Sequence, residues 1–199
     1  MTQFRQTWWN DNLPTRFDEF NSWIGGKDAM SKVFCRKFVR DGRYVSLADF
    51  GCGTATEFFG YAEEYPGLKY LGIDSCTELV HRNIALGVPM LNASVDDTLL
   101  PDNSYEVAFS RHVLEHQPAM EPMLNEMIRV ASKLAMHVFF MKPRKEPEAI
   151  GYDPTENLYH NRYDTDKIEA FLKTHPKVKL FEWIDINASE NLLVIYVNE

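Results

Sequence analysis

The feature that most constrains this chain is the octet Asp49-Phe50-Gly51-Cys52-Gly53-Thr54-Ala55-Thr56. It stands between a short apolar run, residues 45–50 (VSLADF), and a stretch at 54–64 with helical apolar spacing. The run is short and ends at glycine, which reads as a strand. Gly51 permits a sharp turn, and Gly53 lets the backbone approach a ligand that a Cβ would exclude. The following helix start offers unpaired N–H groups and partial positive charge. A strand, a glycine-rich turn and a helix together are the setting that a nucleotide-type ligand loop requires.

The rest of the chain repeats the alternation. Residues 70–73, 89–93, 106–110 and 134–141 read as strands, and 77–86 and 120–131 as helices. Pro101-Asp102-Asn103-Ser104 marks a turn, Pro122 is tolerable in a first helical turn, and Pro143 stops the fifth strand. A helix at 28–39 precedes the first strand. After 143 the pattern changes to a helix at 164–172, capped by Asp164 or Thr165. Two β-rich runs follow at 178–186 and 191–197, separated by Asn187-Ala188-Ser189-Glu190, and they read as an antiparallel edge pair. The expectation is an α/β fold, a Rossmann-like, seven-stranded, mostly parallel sheet with helices on both faces and an antiparallel C-terminal strand pair.

The formal charge of -8 and the lack of a dense Lys/Arg run argue against nucleic-acid partners, which need a basic footprint. An acidic substrate would need local cations such as Arg111, Lys142, Arg144 and Lys145. The three cysteines, Cys35, Cys52 and Cys76, fit neither a disulfide framework nor a zinc site. A reducing, cytoplasmic setting is therefore expected. No signal core stands in residues 1–12, and no apolar run approaches the ~20 residues of a membrane helix.

Two carboxylates bear on the ligand. Asp49 sits two residues before Gly51, where it suits a cationic amino group and would repel a pyrophosphate. Asp74 ends the second strand, where a carboxylate can accept both ribose hydroxyls; NAD enzymes share that feature, so only Asp49 discriminates. Asp49-x-Gly51-Cys52-Gly53 resembles motif I of the class I S-adenosylmethionine (SAM)-dependent methyltransferases, with Ala55 where a third glycine is usual. Leu71-Gly72-Ile73-Asp74-Ser75 is similar to the ribose-binding strand end of that family. Residues 100–110 (LPDNSYEVAFS) and 112–116 (HVLEH) resemble the signature of its small-molecule subgroup, and the resemblance spans residues 47–143 in order and spacing.

The resemblance implies SAM as cofactor and S-adenosylhomocysteine (SAH) as product. It places Asp49, Gly51, Cys52, Gly53, Asp74 and Ser75 at the cofactor, Ser94 and Val95 at the adenine, and Ser110 and Arg111 beside the methyl-transfer site. The family often carries Asp at the position of Ser94, so a weaker contact to the adenine amino group is expected. The chain then reads as one domain: an N-terminal helical or lid segment (1–44), a SAM-binding core (45–143), and a substrate loop with a C-terminal hairpin (144–199). The acceptor it implies is a small molecule or a glycan, methylated on O or N, with no metal required.

A hydroxyl acceptor needs a base. His160 is the first candidate, within a possible polar pocket of Tyr159, His160, Asn161, Arg162 and Tyr163 on the loop after the fifth strand; a surface loop is the plain alternative. His116 is the second; His112 and His116 can each act as a base, but the segment His112-Val113-Leu114-Glu115-His116 reads first as one that positions the loop after the fourth strand. Cys52 and Cys76 read as inert fillers. Trp8, Trp9, Phe17, Phe20 and Trp23 pack on the sheet or form a lid, and Arg16 can then reach the SAM carboxylate. Two other classes stay open: a non-catalytic SAM-binding partner subunit, and a nicotinamide oxidoreductase, against which Asp49 and Thr56 argue.

Overall fold

The computed structural model describes residues 25–155 and 158–198, together with Trp9, Asn12, Arg16, Phe17, Glu19 and Ser22. The expectations placed on Trp8, Phe20 and Trp23 lie outside the described residues. The elements run α1 (Met30–Asp41), β1 (Ser46–Phe50), α2 (Thr56–Glu64), β2 (Lys69–Asp74), α3 (Thr77–Ala85), β3 (Met90–Asn92) and β4 (Tyr105–Arg111). A 3-10 turn (Leu114–His116) leads to α4 (Glu121–Val130), β5 (Ala131–Phe139), β6 (Tyr152–Asp153), β7 (Leu158–Tyr159), α5 (Thr165–Thr174), β8 (Val178–Asp185) and β9 (Asn191–Val197).

Seven strands form one sheet in the order β3-β2-β1-β4-β5-β9-β8, and β6 and β7 form a separate pair. Pairing is parallel from β3 through β5 and antiparallel between β5 and β9 and between β9 and β8. The sheet, with helices on both faces, is the Rossmann-like architecture that the alternating pattern implied. The chain winds outward from β1 to β3 and then returns to β4 on the other side of β1. That reversal opens a crevice at the carboxyl ends of β1 and β4, where open α/β sheets bind ligands.

The central strands are buried on both sides, and alternation sends successive residues to opposite layers. Ala48, Phe50 and Ala108 join Met123, Leu124, Met127 and Ile128 of α4. Leu47, Val107 and Phe109 join Cys35 and Val39 of α1 and Tyr61 of α2. Asp49 shares the parity of Leu47 and is therefore carried into a buried layer.

Two differences from the sequence expectation have physical causes. β5 starts at Ala131 rather than 134, directly after α4, because the polar pair Ser132-Lys133 occupies the less buried start of the strand. It ends at Phe139 rather than 141 because the N–H groups of Phe140 and Met141 turn to Glu115 Oε1, at 2.7 and 3.3 Å. The stretch read as a plain loop at 142–158 contains part of the small β6–β7 pair.

α1 and α2 are locked by a charge. Arg36 is 1% exposed. It donates to Glu64 at 2.7 and 3.0 Å, to the Lys27 carbonyl at 2.7 Å and to Glu57 at 3.4 Å. A Cβ at Gly60 would meet its guanidinium at 2.6 Å, so the bare helix turn is what admits it. Removing one partner of a buried pair leaves the other uncompensated, at a cost of about 3–5 kcal/mol. Arg36→Ala is expected to lose that much stability in urea unfolding; a loss comparable to that of an exposed arginine would show that Glu57 does not depend on it.

Candidate active site

The carboxyl edge gathers the loops after β1, β2, β4 and β5. The loop after β1 takes left-handed backbone at Gly51 (φ 71°), Gly53 (φ 55°) and Ala55 (φ 53°). At Gly51 a Cβ would also meet Val113 Cγ2 at 2.6 Å, so this loop lies directly against the segment after β4. Its backbone is tied down on three sides. Gly51 N–H donates to the Ile73 carbonyl at 2.8 Å, Gly53 N–H to Asp74 Oδ2 at 2.9 Å, and Asn83 Nδ2 to the Gly53 carbonyl at 2.8 Å. Asp74 Oδ1 accepts the Cys76 N–H at 2.8 Å. The Asp74 carboxylate thus clasps two loops before any ligand arrives. Burial still raises its carboxyl above the ordinary value.

Asp49 is 3% exposed and accepts the Tyr70 hydroxyl at 2.6 Å. Burial pushes its carboxyl up to about 7, with the Glu57 and Asp74 charges adding to the rise and Tyr70 and Lys32 opposing it. Lys32 lies buried on α1 and donates to the Gly25 carbonyl at 2.9 Å and to Thr56 Oγ1. Burial lowers its ammonium to about 8. A buried acid whose anion is penalised gains from a cationic ligand group.

The sign for stability follows. The folded pKa of Asp49 lies above the ordinary value of 3.8, so folding carries no penalty there below about pH 3.8 and an increasing one up to about pH 7. Asparagine keeps an acceptor for Tyr70 and cannot ionise. Asp49→Asn is expected to gain on the native chain as pH rises from 4 to 7, by at most about 4 kcal/mol. Urea unfolding at pH 4 and pH 8 measures it, and an equal difference at both would refute a penalised anion.

At the end of β4, Ser110 is fully buried, and its Oγ has no hydrogen-bond partner among the described residues. Arg111 donates from Nε to Ser31 Oγ at 2.9 Å and from Nη2 to Glu190 at 3.0 Å. Glu115, fully buried, takes Phe140 N–H and lies 3.3 Å from His137 Nε2. Burial opposes the Glu115 anion, but the His137 contact outweighs it and holds the carboxyl below its ordinary value. Glu115 is therefore the residue of the HVLEH segment that anchors the loop.

The expected polar pocket at 159–163 divides. Asn161 is buried and structural: its N–H donates to the Glu115 carbonyl at 2.9 Å, and its Nδ2 to the Gln117 carbonyl at 2.6 Å. Tyr163 is buried too, and its hydroxyl donates to the Leu114 carbonyl at 3.0 Å. Arg162 exchanges backbone bonds with Ala149. His160 is exposed, with its ring edge-on to His116 at 5.3 Å. His116 Nδ1 lies 2.7 Å from the Tyr159 carbonyl, so that nitrogen carries the hydrogen. Burial lowers its pKa. Trp9 stands edge-on to His116 at 6.1 Å, and Trp9 and Phe17 pack against Cys76 and Leu79. Trp9 therefore reaches the segment after β4 and, with Phe17, the segment after β2. Arg16 pairs with Glu19 at 2.8 Å.

After β3, Ser94 Oγ turns to Asp96 within its own turn, and Val95 is buried. Ser75 is exposed beside the clasp, and Cys52 and Cys76 are free thiols. The structure thus brings Asp49, Gly51, Cys52, Gly53, Asp74, Ser75, Ser110 and Arg111 to one edge. Sequence reasoning missed Tyr70, Lys32, Ser31 and Glu190, whose positions carry no motif spacing. The cradle fits a SAM-like cofactor on this chain's own features: left-handed backbone where two glycines stand, a penalised buried carboxylate, and the orphaned Ser110 hydroxyl.

Residues 48–139 match a family model described as a methyltransferase domain. No curated protein matches the chain. Among solved structures it resembles the 1,6-didemethyltoxoflavin-N1-methyltransferase of Burkholderia thailandensis, with a TM-score of 0.69, 14% identity, and coverage of 95% of this chain and 86% of that one. DesVI of Streptomyces venezuelae matches with a TM-score of 0.69 and 14% identity over 92% and 98% of the two chains. A putative methyltransferase of Haloferax volcanii, in complex with the Trm112 methyltransferase activator, matches with a TM-score of 0.66 and 14% identity over 98% and 99%. At these identities the neighbours establish the fold.

Proposed function

We infer that this chain is a class I SAM-dependent methyltransferase that transfers the methyl group of SAM to an oxygen or nitrogen of a small-molecule or glycan acceptor, a reading supported by the methyltransferase-domain match over residues 48–139 and by the shared fold. The observation that carries this reading is the loop after β1, held in left-handed backbone and clasped to Asp74 beside the buried Asp49. When bound, the cofactor supplies a sulfonium methyl, whose carbon–sulfur bond breaks with the electron pair returning to sulfur. The protein supplies position, field and a proton acceptor.

In this reading Gly51, Cys52 and Gly53 line the cofactor with backbone, and Asp49 faces its ammonium group. The lone pairs that Asp74 keeps beyond its backbone bonds, together with Ser75, face the ribose. Ser94 and Val95 border the adenine, and Ser110 and Arg111 stand beside the methyl. His116 and His160 lie on the acceptor side, and Trp9 with Phe17 closes the edge as a lid. The Burkholderia neighbour is described with bound 1,6-didemethyltoxoflavin and SAH, which supports a small-molecule acceptor.

A second reading has one observation behind it. The Haloferax neighbour is seen with an activator protein, which favours a chain that works as one subunit of a pair. Among the described residues no helix is long and apolar enough to cross a membrane. The three described thiols are unpaired, in keeping with the cytoplasmic setting we propose.

Calorimetry with SAM, SAH and NAD, followed by labelled-methyl transfer to a panel of phenols, aminated heterocycles and sugars, tests the reading. SAM and SAH are expected to bind and NAD not to; NAD binding alone would replace the reading with an oxidoreductase. Gly53→Val puts a β-branched side chain at φ 55° and is expected to abolish SAM binding in a chain that still folds, by circular dichroism. Undiminished SAM affinity would remove the loop from the cofactor site.

A further inference from the structure

We propose that His112, oriented by Glu190, is the residue that takes the acceptor's proton during methyl transfer; this rests on the methyltransferase reading above. His112 directly follows β4, at the switch-point edge. Its backbone is left-handed, with φ 60°. A non-glycine residue there is strained and persists only where its surroundings over-determine it. Its N–H donates to the Val138 carbonyl at 2.9 Å, and the next residue, Val113, packs against the Gly51 position of the cofactor loop.

The side chain is equally fixed. Nε2 of His112 lies 2.8 Å from Glu190 Oε1, an oxygen that also accepts Ser31 Oγ at 2.8 Å and Arg111 Nη2 at 3.0 Å. Asn187 Nδ2 donates to the other oxygen at 2.7 Å. Burial works against the Glu190 anion, but the hydrogen bonds from His112, Asn187 and Ser31 and the Arg111 charge outweigh it. The carboxyl stays far below its ordinary range. An ionised carboxylate only accepts, so Nε2 carries the hydrogen and Nδ1 keeps its lone pair. Phe140 packs on the same ring at 5.1 Å and on His116 at 5.5 Å, which sets His112 among the acceptor-side rings.

The charged groups around His112 are Arg111 on β4, Glu115 on the 3-10 turn and Glu190 on the turn before β9. Burial and Arg111 lower its pKa, against the Glu190 and Glu115 contributions, so the ring is neutral at pH 7. As the acceptor's oxygen or nitrogen forms its bond to the methyl carbon, the acceptor's bond to hydrogen breaks. The proton bonds to the Nδ1 lone pair, and the electrons of the broken bond stay on the acceptor. The positive charge then spreads over an imidazolium whose Nε2–H points at Glu190. The side chain is 23% exposed, which lets the proton leave to water afterwards. His116 commits Nδ1 to a neutral backbone carbonyl, and His160 is exposed; Glu190 gives His112 an anion that stabilises the charged ring.

The test is long-range proton–nitrogen NMR on the full chain with labelled histidine and saturating SAH, His112 being assigned by the signals lost in His112→Gln. The expected result is a neutral ring at pH 7 with its hydrogen on Nε2, and a pKa lower by about one unit in Glu190→Gln. A hydrogen on Nδ1, or a charged ring at pH 7, overturns the proposal. Turnover is read with the acceptor panel as probe. His112→Gln should lose about 10²–10⁴-fold in kcat with SAH affinity unchanged. Full turnover in His112→Gln with normal SAH binding overturns the role of His112 alone. Failure of the native chain to bind SAH overturns the methyltransferase reading and this proposal with it.

Discussion

The site depends first on one buried anion, the Asp74 carboxylate. It terminates β2 and receives the Gly53 and Cys76 backbone N–H groups. Gly53 lies in the loop after β1 and Cys76 in the loop after β2, both beyond the ladder bonds of the sheet, so each N–H needs another acceptor. Without an acceptor, the burial of each N–H would cost about 1–3 kcal/mol. One carboxylate answers two loops at once, so the loops after β1 and β2 are fixed relative to each other. Asn83 completes the arrangement from α3 by donating to the Gly53 carbonyl. The shape of the cradle is thus set by the protein before a ligand contributes.

The same device recurs on the other side of the crevice. Glu115 accepts the N–H groups that end β5, and Asn161 and Tyr163 bind the carbonyls around the 3-10 turn. The loop after β5, long and without much secondary structure, is held by these buried polar contacts together with the burial of Leu158 and Tyr163. Along this stretch Asn161 and Tyr163 are buried, half-buried Arg162 stands between them, and His160 just before them stays exposed.

The sheet was legible because its cues are local. Alternating apolar runs, glycine turns and the Asp164 cap each act within a few residues, and the Asp164 side chain does accept the Asp166 N–H, at 2.9 Å. The β1 loop was legible for the same reason: Gly51 and Gly53 take the positive φ that glycine favours. Ala55 takes it too, without glycine's freedom, which spacing alone cannot show. The partners of the site were not legible. Tyr70 lies 21 residues from Asp49, and Glu190 lies 78 from His112. Only the parallel register and the β8–β9 turn bring them together. The pocket expected at 159–163 failed to hold as a unit because sequence shows polarity, and polarity serves buried anchors and ligand contacts alike.

The periphery of the fold therefore takes part in the chemistry. Glu190 belongs to the turn of the C-terminal hairpin, and Ser31 to the first turn of α1. Both meet Arg111 at the end of β4, so three segments far apart in sequence share one oxygen of one carboxylate. A hairpin at the edge of the sheet is ordinarily among the first elements to fray, but this one carries the anion that fixes the orientation of His112. Fraying would release Arg111 and His112 together and return a strained backbone at φ 60° to freedom. Stability of the edge and alignment of the site are for that reason one quantity: the field at the crevice is preorganised only while β9 stays paired to β5 and β8 to β9.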